Sequence, residues 1–197
     1  MTPRSHERLV RSIQAAGGCL DLDARKLRMM HNQCALGRHI RNEISHSLKQ
    51  TGVSRFPRTF PNRQHHRVTL WLRSTDVGCA LDVALDIAGR HLDDQRIARW
   101  RPGDLGDVVD RARSCGGWAW FTSGQIRDAM GHKALGAKIR EDIEWDLRHR
   151  SLAWFPLGPF PDVQDQPVVL VHLDSPAGEW FAYALEMLRR YRAGLAA

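Results

Sequence analysis

The sequence predicts an α+β protein, mainly α-helical, made of two tandem copies of one small fold. Three observations carry this expectation. The stretch AAGGCLDLDARKLRMMHNQCALGRHIRNEISHSLKQTGVSRFP (15–57) lies without a gap over SCGGWAWFTSGQIRDAMGHKALGAKIREDIEWDLRHRSLAWFP (114–156), with twelve identities in 43 positions. Inside each stretch, apolar residues spaced every three to four positions give way to short extended runs, so helices and strands should alternate. The 197 residues, 43% of them hydrophobic, suffice for one large or two small cores.

The elements follow in order. A first helix is expected over roughly Glu7–Ala16, with Leu9, Val10 and Ile13 as its apolar stripe and Ser5 as its cap. Its counterpart is expected over roughly Leu105–Ser114, opened by Asp104 just after Pro102-Gly103. The pairs Gly17-Gly18 and Gly116-Gly117 stop these helices, since a left-handed C-terminal position favours glycine. Cys19–Leu22 and Trp118–Phe121 then suit short strands. Asp23 in the first copy, and Thr122 or Ser123 in the second, can cap a short second helix. After a break at Asn32 or Gly131 comes the longest helix, about 35–50 and 134–149. An extended segment ending in Phe-Pro, a Pro-containing polar loop and a strand (Val68–Leu72, Val168–Leu173) follow. An amphipathic helix near Val77–Gly89 or Gly178–Arg192 closes each copy. The expected organisation is a domain over 1–92, a linker over 93–103 and a domain over 104–197.

The order helix, short strand, helix, helix, strand, loop, strand over 5–73 and 104–174 resembles the winged helix-turn-helix family, and the resemblance rests on order, spacing and duplication. It implies that the third helix of a copy lies in the DNA major groove, that the second braces it, and that the loop between the last two strands reaches the backbone or minor groove.

Charge singles out the first copy for this role. Residues 1–99 hold 17 Lys+Arg against 9 Asp+Glu, whereas residues 100–197 hold 12 against 13. Over 8–73 the count is 13 basic to 3 acidic, the footprint of a phosphate-binding module. On the long helix, Leu36, Ile40, Ile44 and Leu48 define the stripe to be buried. Roughly opposite stand Arg38, Arg41, Asn42, Ser45 and Lys49, flanked by His39 and His46. Arg pairs bidentately with guanine and Asn with adenine, so Arg38, Arg41 and Asn42 are the expected base readers, while Ser45 and Lys49 reach phosphates. The loop contributes Arg58, Arg63, His65, His66 and Arg67 without a carboxylate, and the second helix adds Arg25, Lys26 and Arg28. The expected partner is double-stranded DNA and the expected role transcriptional regulation in the cytoplasm, associated with the nucleoid. An adaptor that docks an acidic protein through the same face is the alternative. Binding of single strands or RNA ranks lower, because the aromatic residues lie mostly in the other half.

The second copy has traded this surface away. Residues 104–174 hold 8 basic and 11 acidic side chains. Glu141 and Glu144 would face the groove and repel phosphate, and the loop LGPFPDVQDQP has no basic residue. Six of the seven tryptophans belong to this half; Trp145 occupies the place of His46, and Trp154 that of Arg55. Glu141, Glu144, Trp145 and Trp154 are therefore expected at a protein contact, with a second copy of the chain or another partner.

No residue pattern nominates catalysis, a cofactor or a metal. His31-x-x-Cys34 has ligand-like spacing but no second pair to complete four zinc ligands. His65-His66 lack a carboxylate to orient them as a general base. Neither a Gly-x-x-x-x-Gly-Lys nor a Gly-x-Gly-x-x-Gly loop is present. The four cysteines form no framework and read as reduced thiols of a cytosolic protein, and no apolar run approaches the ~20 residues of a membrane span. The N-terminus lacks the apolar core of a secretory signal.

Overall fold

The computed structural model describes residues 3–31, 37–89 and 102–195. Among these are eight helices and six strands: α1 (Pro3–Ala15), β1 (Cys19–Asp23), α2 (Ala24–Met30), α3 (Arg38–Gln50), β2 (Val53–Phe56), β3 (Arg67–Leu72), α4 (Asp76–Gly89), α5 (Leu105–Ser114), β4 (Trp118–Thr122), α6 (Ser123–Ala129), α7 (Ala137–His149), β5 (Leu152–Phe155), β6 (Pro167–His172) and α8 (Pro176–Leu195). The protein is thus α+β, with one order of elements occurring twice. Each set contains an antiparallel three-stranded sheet, ordered β1-β3-β2 and β4-β6-β5.

The local chemistry behind the elements is short-range. Pro3, whose missing N–H costs nothing in a first turn, opens α1, so Ser5 lies inside the helix rather than capping it. Asp23 caps α2 by accepting from the Lys26 amide at 2.6 Å, and Asp104 caps α5 by accepting from the Asp107 amide at 3.0 Å. Thr122 opens α6 with a capping box completed by Gln125. The long helices begin later than their apolar periodicity suggests. Gly37 and Gly136 are extended N-cap residues, so α3 starts at Arg38 and α7 at Ala137. The expected break at Asn32, and residues 35 and 36 of the expected first long helix, lie outside the described residues.

Sheet alternation divides each copy into layers. In β3, Val68, Leu70 and Leu72 join Leu9, Ile13, Leu27, Ile44 and Leu48 in a core against α1, α2 and α3. The alternate residue Trp71 faces the other way, toward α4, where its indole N–H donates to Asp82 at 2.9 Å. In the second copy Val168 and Leu170 join the equivalent core. On the opposite face Phe155 packs edge-on against Phe181 of α8 at 4.7 Å and lies 6.1 Å from Trp118. Gly18 and Gly117 hold left-handed backbone (φ +89° and +88°) at the turn into the sheet, and a Cβ on Gly117 would fall 1.9 Å from the Ser175 hydroxyl.

The chain divides into two compact units, Met1–Asp82 with Tyr183–Ala197, and Val83–Ala182. The first unit therefore takes in the end of α8, where the Tyr191 hydroxyl donates to the Gln14 carbonyl at 3.2 Å. No described helix is long and apolar enough to cross a membrane.

Candidate nucleic-acid interface

Helix α3 buries Ile44, Ser47 and Leu48 and turns Arg38, His39, Asn42, Glu43, His46 and Lys49 to solvent. Leu36, the first residue of the expected stripe, lies outside the described residues. The one acid on this face, Glu43, sits 3.2 Å from His39 one turn earlier. Ser45 is half-buried, and its hydroxyl donates to the Arg41 carbonyl at 2.7 Å.

The loop between β2 and β3 is laid against the start of α2 by two backbone bonds. Ala24 N–H donates to the His66 carbonyl at 2.8 Å and Arg25 N–H to the Gln64 carbonyl at 2.7 Å. These bonds bring the exposed loop residues Arg63 and His65 beside the exposed Arg25 and Lys26 of α2. Arg58, earlier in the loop, is also exposed. Nine residues of the first copy (Arg25, Lys26, Arg38, His39, His46, Lys49, Arg58, Arg63 and His65) thus offer cationic or protonatable groups to solvent from α2, α3 and one loop.

Four expected contacts are placed differently. His66 is buried, with 5% of its surface exposed, because the loop folds its ring inward while its carbonyl serves Ala24. Arg67 leaves the loop as the first residue of β3 and is ion-paired with Asp21 across the sheet, where Thr69 also donates to Asp21 at 2.9 Å. Arg28 and Arg41 are half-buried, with Nε atoms shielded from solvent. A residue outside the expected contact set matters to the loop: the half-buried Arg55 donates to the Arg58 carbonyl at 2.6 Å, and burial pulls its pKa below the usual arginine value.

The second copy repeats this scaffold with other side chains. Ser123 and Gly124 amides donate to the Gln166 and Gln164 carbonyls at 3.0 and 2.8 Å, matching the first copy bond for bond. The corner that carries Arg25, Lys26 and Arg63 there is here an open cavity of about 650 Å³ whose lining includes Gly124, Gln125, Gln164, Asp165 and the ion pair of Arg127 with Asp128. On α7, Glu141 and Asp142 are exposed. Glu144 is not free for a partner: it accepts from the Phe160 amide at 2.7 Å and from Arg148 at 2.9 Å. Trp154 is also placed otherwise than expected, being 7% exposed, with its indole N–H donating to the Gly158 carbonyl at 3.1 Å and Arg148 stacked over its ring. Trp145 alone of the two stands in solvent, 58% exposed and stacked on His149 at 3.6 Å.

Of the expected-against metal pair, His31 is buried and Cys34 lies outside the described residues. No protein-family model, no curated protein and no solved structure matches this chain.

Proposed function

We propose that the first copy binds double-stranded DNA as a winged helix, with α3 in the major groove and the α2–loop corner on the phosphate backbone, and that the protein acts as a transcriptional regulator. One observation supports this reading above the others. On an equivalent backbone, the exposed charges of α2, the loop and α3 in the first copy are basic apart from Glu43, while the second copy has Gln125, Gln164 and Asp165 at the same corner and mixes Lys138 and Arg148 with Glu141 and Asp142 on the helix face. A generic solvated surface would mix the two signs in both. The set we assign to DNA is Arg38, Asn42 and Lys49 from α3, flanked there by His39 and His46, with Arg25, Lys26, Arg58, Arg63 and His65 on the backbone.

The test is fluorescence anisotropy of mixed-sequence duplexes with rising salt. Affinity should fall steeply, with log K linear in log salt and a slope of about −0.9 per phosphate neutralised. Absence of duplex affinity at low salt contradicts the reading. A protein-docking role for the second copy is favoured by Trp145, a large exposed indole of the kind enriched at interface centres. Trp145→Ala should then change assembly or partner capture and leave duplex affinity unaltered.

A further inference from the structure

The two copies act as controls for each other. A residue serving only DNA has no reason to persist in the copy whose surrounding surface has turned acidic or neutral. Along α3 and α7 three solvent-facing pairs have diverged, Arg38 with Ala137, Asn42 with Glu141 and His46 with Trp145, while Glu43 with Asp142 and Lys49 with Arg148 keep only their charge. Arg41 and Arg140, at equivalent places among them, are identical. Both are half-buried, and each has an Nε shielded from solvent. In the second copy the purpose is visible, since Arg140 Nη1 donates to the Phe160 carbonyl at 3.4 Å. Phe160, like its counterpart Phe60, is buried and anchors the loop after the Phe-Pro turn.

We infer that Arg41 is a positioning residue that fastens the loop to the long helix, and that it does not read bases. The fastening differs between copies in an informative way. Arg140 works with Glu144, which accepts from the Phe160 amide, whereas the first copy has Ser45 in that place with its hydroxyl bonded back to its own helix. A carboxylate there would repel phosphate, and the first copy omits it; the tie to the loop seen there is Arg55, which donates to the Arg58 carbonyl at 2.6 Å, with Arg41 assigned beside it by its match to Arg140. The loop's placement against the helix, and with it the spacing between Arg58 or Arg63 and the groove-facing side chains, then depends on Arg41. This consequence rests on the proposed DNA reading, whereas the fastening itself does not.

The experiment uses the full chain with Arg41→Gln, Arg41→Lys and Arg140→Gln, read by amide hydrogen exchange and by duplex anisotropy across salt. Arg41→Gln should raise exchange at the 58–66 amides by about tenfold, the size of one lost charge-assisted bond. It should weaken all duplexes by a common factor and leave the salt slope and the sequence preference unchanged. Arg41→Lys, which keeps a donor, should restore part of the loop protection. Arg140→Gln should raise exchange over 157–166 and leave duplex affinity alone. Unchanged loop exchange in Arg41→Gln overturns the inference, as does a slope reduced by one phosphate's worth or an altered preference at a single base pair. If the parent protein binds no duplex, the DNA reading fails and the exchange arm still decides the fastening role.

Discussion

At the scale of single residues, some of the first copy's polar side chains face solvent and others are consumed by the fold. Asn42 is exposed on α3 and has the amide that pairs bidentately with adenine. Asn42→Ala should lower discrimination at one base pair by about 1–3 kcal/mol while sparing non-specific affinity, as measured by selection of duplexes from a random pool. Arg67 is the opposite case, held by Asp21, so Asp21→Ala should destabilise the first copy by about 1–3 kcal/mol in urea unfolding, because it strands a partly buried guanidinium. Cys19 supplies a pH signature. Burial pushes its thiol from 9.0 up to about 12, with Arg192 offsetting the effect only in part. The folded state then keeps a proton that the unfolded state loses, so stability falls as pH rises from about 9 toward 12. Cys19→Ala should flatten that alkaline decline. Labelling at neutral pH should modify the exposed Cys79 before Cys19.

At the scale of elements, what was legible in the sequence was whatever chemistry acts over a few residues. The caps Asp23, Asp104 and Thr122, the glycine stops and the apolar stripe through Ile44 and Leu48 each depend on neighbours within a turn or two. Partners separated along the chain were not legible. Arg67 looks like a loop cation in the sequence because Asp21 stands 46 residues away; Trp154 differs in kind, since the carbonyl that receives its indole is only four residues on but across a turn whose path the sequence does not declare. His66 was misplaced for the same reason, since a loop folded onto α2 buries one of two adjacent histidines and exposes the other. The helix starts at 38 and 137 were missed because Ala-Leu-Gly continues the helical periodicity while the glycine adopts extended backbone. The turn between α5 and β4 offers an element-level test. Gly117→Ala forces a Cβ into Ser175 at a left-handed position, and it should cost well over the ~1 kcal/mol typical of a glycine substitution, seen as a lower thermal midpoint. Gly136→Ala, where nothing lies within 4 Å of the added Cβ, is its control and should cost only about 0.5–1 kcal/mol, that of a poorer N-cap residue.

At the scale of the whole molecule, one compact unit is cationic and the other is not. Residues 1–82 with 183–197 hold 17 basic and 7 acidic side chains, against 12 and 15 in residues 83–182. A surplus of this size in one unit orients the molecule toward a polyanion and leaves the other surface for different work. The central claim is that only the first copy touches DNA, and hydroxyl-radical footprinting of the full chain, with and without a mixed-sequence duplex at low salt, tests it most directly. The account predicts protection of His39, His46 and His65, all exposed in the free protein, with Trp145 and His149 as reactive as before. Equal protection of Trp145 and His149, or no protection of the three histidines by saturating duplex, would contradict it.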